Sequence, residues 1–158
     1  MRIALLAASA LLLTSLLQHH PLLVWNVSSS MPPGLYRASF ARPDIGDLVL
    51  IEPPAGFVRL ALERGYFKSP VPFVKEIAAA AGDTVCRRAR TISLGGVAIA
   101  QAMDADAMGQ PLPAWEGCRV LGKNEVFVLG SHAGSFDSRY FGPIRRKAIL
   151  TRLVPFWT

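Results

Sequence analysis

The stretch Asn26-Val27-Ser28-Ser29-Ser30-Met31-Pro32-Pro33-Gly34-Leu35-Tyr36-Arg37 divides the chain into an apolar leader and a domain of short strands. Each proline removes a backbone donor and fixes φ, and Pro32 biases Met31 toward extended geometry. Ser30 therefore ends a short extended segment and sits in a stiff turn. Serines beside prolines are ordinarily turn residues. Two later segments give this one chemical interest: Phe73-Val74-Lys75-Glu76-Ile77 and the run from Gly130-Ser131-His132 through Ser135-Phe136-Asp137-Ser138-Arg139 to Gly142-Pro143.

Upstream, Arg2 and the amino terminus precede an uncharged run from Ile3 to Leu17. As a helix this run covers about 22 Å, short of the ~30 Å hydrocarbon core. Gln18-His19-His20 interrupts it, and Leu22-Leu23-Val24-Trp25 resumes it after Pro21. Two readings follow, a cleaved signal peptide or an uncleaved transmembrane anchor that completes its span through the second patch. The small-x-small site Ala8-Ser9-Ala10 falls inside the apolar run instead of after it, which favours the anchor. Residues 1–25 are expected to be a signal-anchor, with the positive N-terminus in the cytoplasm and residues 26–158 exported.

Downstream, the punctuation is that of a mainly β domain. Asp47 to Ile51 is bounded by Gly46 and Pro53; Val71 to Ile77, Asp83 to Cys86 and Glu125 to Leu129 read as further strands. Thr91 to Ala100, split by Gly95-Gly96, reads as a hairpin. One short helix is expected from Pro54 to Arg64, where Phe57, Leu60, Ala61 and Arg64 share a face. Ala102 to Trp115 reads as a surface loop. Twelve prolines and thirteen glycines among short strands fit coiled antiparallel sheets or a small barrel.

The 158 residues suffice for one domain with a sizeable core. A net charge of +6 points to an anionic partner. With 51% hydrophobic residues and an apolar leader, that partner is expected to be inner-membrane lipid, met by Arg145-Arg146-Lys147 and Arg152. Nucleic acid is not expected, because no binding fold or aromatic-basic interleaving is present. Cys86 and Cys118 match no metal spacing, and no metal or cofactor is expected. In an exported domain they would close a disulfide loop worth roughly 3–4 kcal/mol; the alternative is two partly buried thiols.

A serine hydroxyl needs a base to act as a nucleophile near neutral pH. His19 and His20 belong to the leader, which leaves His132 as the one histidine candidate. A lysine serves equally well if burial removes its charge. On a strand, Lys75 shares a face with Phe73 and Ile77, while Glu76 points the other way with Val74. That pattern sets the amine among hydrophobes and away from its acidic neighbour; the alternative is a snorkelling surface lysine. Lys68, in a Gly-Tyr-Phe-Lys-Ser-Pro turn, is expected to be solvated.

Taken together, four boxes resemble the serine-lysine signal peptidase family, and within it the small conjugative-transfer peptidases of the TraF type. They are Ser28 to Pro32, Asp44-Ile45-Gly46-Asp47-Leu48-Val49, Val74-Lys75-Glu76 through Ala81-Gly82-Asp83, and Gly130-Ser131 through Gly142-Pro143. They stand in the family's order and span most of the chain after the leader. The resemblance implies a periplasmic catalytic domain of coiled antiparallel sheets, held to the bacterial inner membrane by one N-terminal span. It implies Ser30 as nucleophile, Lys75 as general base, and an oxyanion hole made of the Ser28 hydroxyl and the Ser30 backbone N–H. Ser135 would orient the lysine amine, and Asp137 with Arg139 would brace the site. Ser29 leaves the serine box ambiguous; spacing to Met31 is the reason to prefer Ser30.

The chain departs from typical signal peptidases at Glu76, where they carry a basic residue, and at Gly130-Ser131-His132, where they often carry Gly-Asp-Asn. Both departures lean toward the transfer-peptidase branch. That branch implies maturation of a pilin, or another exported precursor with small residues at the cleavage site, through an acyl-enzyme that water or the precursor's own amine resolves. The rival readings are a general type I signal peptidase and a non-catalytic, membrane-tethered assembly protein of a pilus or secretion machine. Ser30 lies within roughly 45 Å of Leu17 even fully extended, which suits a membrane-adjacent substrate. Trp25, Phe156 and Trp157 would seat the domain at the interface, with core packing the alternative for the last two.

Overall fold

Residues 21–158 are described by the structure, a computed structural model. Eleven strands form two antiparallel sheets. The larger has the order β1 (Leu23–Asn26), β2 (Gly34–Ser39), β11 (Ile149–Trp157), β3 (Leu48–Ile51), β4 (Phe73–Ala79), β9 (Glu125–Leu129) and β10 (Ile144–Arg145). The smaller has the order β7 (Val97–Gln101), β6 (Thr91–Leu94), β5 (Thr84–Arg88) and β8 (Gly117–Val120). With β1 and β10 at the two ends of its order, the large sheet is open, so the expected alternative of a small barrel gives way to coiled sheets.

The large sheet is buried on both faces. Val49, Ile51, Ile77, Val126 and Val128 form one core, while Leu50 and Val74 join Met31, Tyr36 and Leu153 in a second. Expected and observed strands therefore coincide best where apolar residues run continuously, at β3 and β9. β4 starts at Phe73, two residues later than expected, because Pro72 cannot donate to the ladder. The helix α1 (Ala55–Glu63) buries Phe57 and Ala61, as its periodicity predicts. The β6–β7 hairpin turns at Gly95 and Gly96, whose φ values of 56° and 89° suit the two left-handed positions of a tight hairpin turn. A one-turn helix, α2 (Ser138–Phe141), follows β9.

Most of the N-terminal anchor expected over 1–25 lies outside the described residues. Its last part is corrected: Leu23, Val24 and Trp25 pair with Arg37, Tyr36 and Leu35 of β2, so they belong to the sheet and cannot complete a helical span. Among the described residues no helix is long and apolar enough to cross a membrane. Four more strands, β2, β8, β10 and β11, were not legible in the sequence. β11 carries Pro155 beside a register shift, which is where a sheet tolerates proline. All four residues of β8 are exposed, so it has no alternating pattern to read. What holds it is Cys118, opposite Cys86 of β5 and disulfide-bonded to it.

Candidate active site

The serine turn is built by Asn26, which sequence reasoning passed over. Its Nδ2 donates to the carbonyls of Ser28, Met31 and Pro32 at 3.0, 3.0 and 3.1 Å. Its Oδ1 accepts from the Ser28 N–H at 3.1 Å and the Ser28 hydroxyl at 2.9 Å. Asparagine two residues before a serine is an Asx-turn signal and was the available clue. The Tyr36 hydroxyl donates to the Pro32 carbonyl, and Met31 is buried beneath the turn in the second core. The proline-rich segment is thus fastened on both sides of Ser30.

Ser28 and Ser30 hydroxyls lie 2.9 Å apart. A hydroxyl has one proton. Since that of Ser28 goes to Asn26 Oδ1, which can only accept, Ser30 is the donor to Ser28. The Ser30 carbonyl is held from the other side, accepting from the Ser131 N–H at 2.9 Å and the Ser131 hydroxyl at 3.3 Å.

Lys75 is 2% exposed, one of three buried cations among the described residues with Arg87 and Arg139. Burial pulls its pKa down from 10.5 to about 8; the nearby Asp137 carboxylate opposes this and Arg139 adds to it. Its Nζ donates to Ser135 Oγ at 2.9 Å and lies 5.3 Å from the centre of the Phe73 ring. The alternation argument is borne out for Glu76, which is exposed, but Val74 is buried too because the second core covers that face of β4.

Ser28, Ser29, Ser30, Lys75 and Ser135 all line one cavity of about 600 Å³, whose walls are otherwise largely apolar: Trp25, Leu50, Tyr66, Phe73, Val74 and Phe136 among them. Each of the two central groups is bonded to a different serine, Ser30 to Ser28 and Lys75 to Ser135. A buried amine whose pKa is lowered to about 8 and a solvent-accessible serine hydroxyl therefore line the same cleft, the two kinds of group that a base-assisted serine nucleophile needs.

Asp137 and Arg139 lie behind this cavity, both buried. Asp137 accepts from the Gly130 N–H at 2.8 Å and caps α2 by accepting from the Arg139 N–H at 3.0 Å. Arg139 pairs with Asp137 and donates to the carbonyls of Gly130, His132 and Ala133 at 3.0, 2.9 and 3.2 Å. The pair thereby ties down the 130–133 loop that grips Ser30. Gly130 is itself a contact point: a Cβ there would stand 2.1 Å from Ser135 Oγ and 2.7 Å from the Ser30 carbonyl. His132 lines the cavity, but its Nδ1 accepts from the Gly134 N–H at 3.0 Å, a bond that shapes its own loop. Among the described residues no group of His, Cys, Asp and Glu is placed to hold a metal ion.

Beyond the site, Cys86 and Cys118 sit in the smaller sheet, away from the cavity lining. Lys68 is exposed, as expected. Trp25 and Trp157 lie 6.2 Å apart between ring centres, and Trp25, Phe156 and Trp157 are all exposed, so the core-packing alternative for the last two is set aside.

Comparison with known proteins identifies the family. The profile of the family described as signal peptidase, peptidase S26, matches residues 1–157. A plasmid transfer protein TraF of Escherichia coli is 35% identical over 144 residues, covering 84% of this chain and 81% of that protein. A conjugal transfer protein TraF of Agrobacterium fabrum is 34% identical over 143 residues, with the same coverage of 84% and 81%. Among solved structures, a signal peptidase I from Enterococcus faecalis aligns over 73% of this chain and 100% of its own, with a TM-score of 0.44 and 19% identity.

Proposed function

The chain belongs to the signal peptidase S26 family, and from this premise we propose that it is a serine endopeptidase in which Ser30 is the nucleophile and Lys75 the general base. The observation that carries this reading is the single cleft shared by Ser30 and a buried Lys75 whose pKa is held near 8.

In the proposed reaction a side-chain movement brings the Ser30 hydroxyl from Ser28 to neutral Lys75, such tightening on substrate binding being common. Lys75 takes the proton as Ser30 Oγ adds to the scissile carbonyl carbon. The oxygen gains the negative charge and accepts from the Ser30 N–H and from the Ser28 hydroxyl, which rotates its proton away from Asn26 Oδ1 to do so; donors so placed are worth several kcal/mol. The Lys75 ammonium then returns its proton to the departing amine, the C–N bond breaks, and an ester to Ser30 remains. Water, or an amine of the precursor itself, attacks that ester with Lys75 again as base. Ser135 keeps the Lys75 amine aimed into the cleft, while Asp137 and Arg139 fix the loop around it.

The proposed setting is the outer face of a bacterial inner membrane, in the periplasm, with the N-terminal segment as tether. The apolar run from Ile3 to Leu17, the exposed Trp25, Phe156 and Trp157, and a disulfide suited to an oxidising compartment support it. The likeness to proteins named for plasmid and conjugal transfer supports an exported pilin precursor as substrate.

Mass spectrometry of that precursor in paired strains, wild type and Ser30→Ala, tests the reading. Processing should require Ser30, and a product lighter by one water than the linear cleaved peptide would indicate ring closure. Unaltered processing with both Ser30→Ala and Lys75→Ala would refute a catalytic role and favour an assembly role. Cleavage of a general secretory precursor would instead mark a housekeeping signal peptidase.

A further inference from the structure

A second cavity, of about 330 Å³, lies apart from the Ser30 cleft and shares no lining residue with it. Three arginines from three different elements line it: Arg42 from the β2–β3 loop, Arg146 from the 3-10 turn after β10, and Arg152 from β11. Among the described residues the only carboxylate paired with any of these three is Asp47, which takes Arg152 Nη2 at 2.6 Å. Arg146 spends one Nη1 bond on the Pro43 carbonyl at 2.8 Å. Arg152 Nε is buried without any hydrogen-bond partner, the one side-chain polar atom so left among the described residues. Guanidinium groups presented together in a concave site suit a phosphate, which accepts several N–H bonds at once.

The rest of the lining tells which phosphate. Leu22, Ile149 and Leu150 give the cavity an apolar side, and Phe40, 91% exposed, stands at its rim. A free phosphate has no use for that side; a phospholipid does. Leu22 also ties the cavity to the leader, since its carbonyl accepts from the Ala38 N–H at 2.9 Å only five residues after the apolar run that ends at Leu17. We propose that the Arg42–Arg146–Arg152 groove binds the phosphodiester headgroup of an anionic phospholipid, with Phe40 and Leu22 against its acyl chains.

This rests on the membrane-tethered reading for the source of the lipid but not on the Ser30–Lys75 chemistry. The full chain in neutral detergent is titrated with phosphatidylglycerol, phosphatidylcholine or inorganic phosphate, and bound molecules are counted by native mass spectrometry. One phosphatidylglycerol should be retained at least tenfold more tightly than phosphatidylcholine. Arg42→Gln with Arg146→Gln should erase that preference, and Phe40→Ser should weaken lipid retention severalfold. Arg42 is exposed, so Arg42→Glu alone provides a fold-neutral check and should give the same direction. Equal retention of the two lipids, or unchanged preference in both arginine variants, would overturn the proposal. Competition by inorganic phosphate at equal concentration would overturn it too, by showing a phosphate site instead of a lipid site. Precursor cleavage is followed in parallel: loss of lipid preference with Ser30-dependent cleavage intact refutes only the groove, and the reverse refutes only the peptidase reading.

Discussion

Replacing Lys75 with methionine should end cleavage while making the fold more stable. Methionine is unbranched and apolar, so it fills the lysine's space without a charge. The drop from 10.5 to about 8 in the folded protein corresponds to about 3 kcal/mol of penalty for burying the ammonium. Loss of the bond to Ser135 returns about 1 kcal/mol, leaving a net gain of about 2 kcal/mol. The sign with pH follows from linkage. Between about pH 8 and 10.5 the unfolded chain holds a proton on Lys75 that the folded chain lacks, so wild-type stability rises with pH across that window. Below it both states are protonated and the penalty is constant. The variant's advantage should therefore be full at pH 7 and fade as pH approaches 10.5. Urea titrations of the full chains at several pH values measure this. For a chain of this size the gain corresponds to about 4–8 °C in melting temperature. Cleavage by the wild type should rise about tenfold per pH unit up to about 8 and then level off. A variant less stable than wild type at pH 7, or a wild-type rate flat from pH 6 to 9, would refute the buried-base argument.

Gly130→Ala places a methyl 2.1 Å from Ser135 Oγ and 2.7 Å from the Ser30 carbonyl, and so pushes apart the two sides of the site. Cleavage by single-turnover assay should fall on the order of 100-fold, with a stability loss of about 1–3 kcal/mol from the overpacking, read by urea titration. Asp137→Asn leaves Arg139 buried without its counter-charge, and chemical denaturation should show a loss of about 3–5 kcal/mol. Because Asp137 raises the Lys75 pKa, the pH midpoint of residual cleavage in that variant should move below about 8. Cys86→Ala with Cys118→Ala should cost about 3–4 kcal/mol, read by urea titration, yet leave the cleavage rate of the folded fraction unchanged, since neither residue lines the cleft.

The sequence alone determined whatever depends on near neighbours. Continuous apolar runs marked β3 and β9, paired glycines marked the β6–β7 turn, and strand alternation on β4 put Lys75 inward and Glu76 outward. Resemblance to the signal peptidase boxes, rather than spacing or periodicity, is what singled out Ser135, Asp137 and Arg139; spacing to Met31 served only to prefer Ser30 within the serine box. Tertiary structure decided what depends on partners distant in the chain. β11 joins the sheet between β2 and β3, and its proline-bearing sequence gives no sign of that pairing. Leu23 to Trp25 are as apolar as a membrane span, yet the unpaired edge of β2 takes them as a strand. Gly130 looks like any loop glycine until Ser135 and the Ser30 carbonyl close on it, and the arginine groove gathers residues 42, 146 and 152. Close packing and backbone hydrogen bonding join atoms far apart in the chain, so a residue's role there is set by which remote atoms arrive beside it.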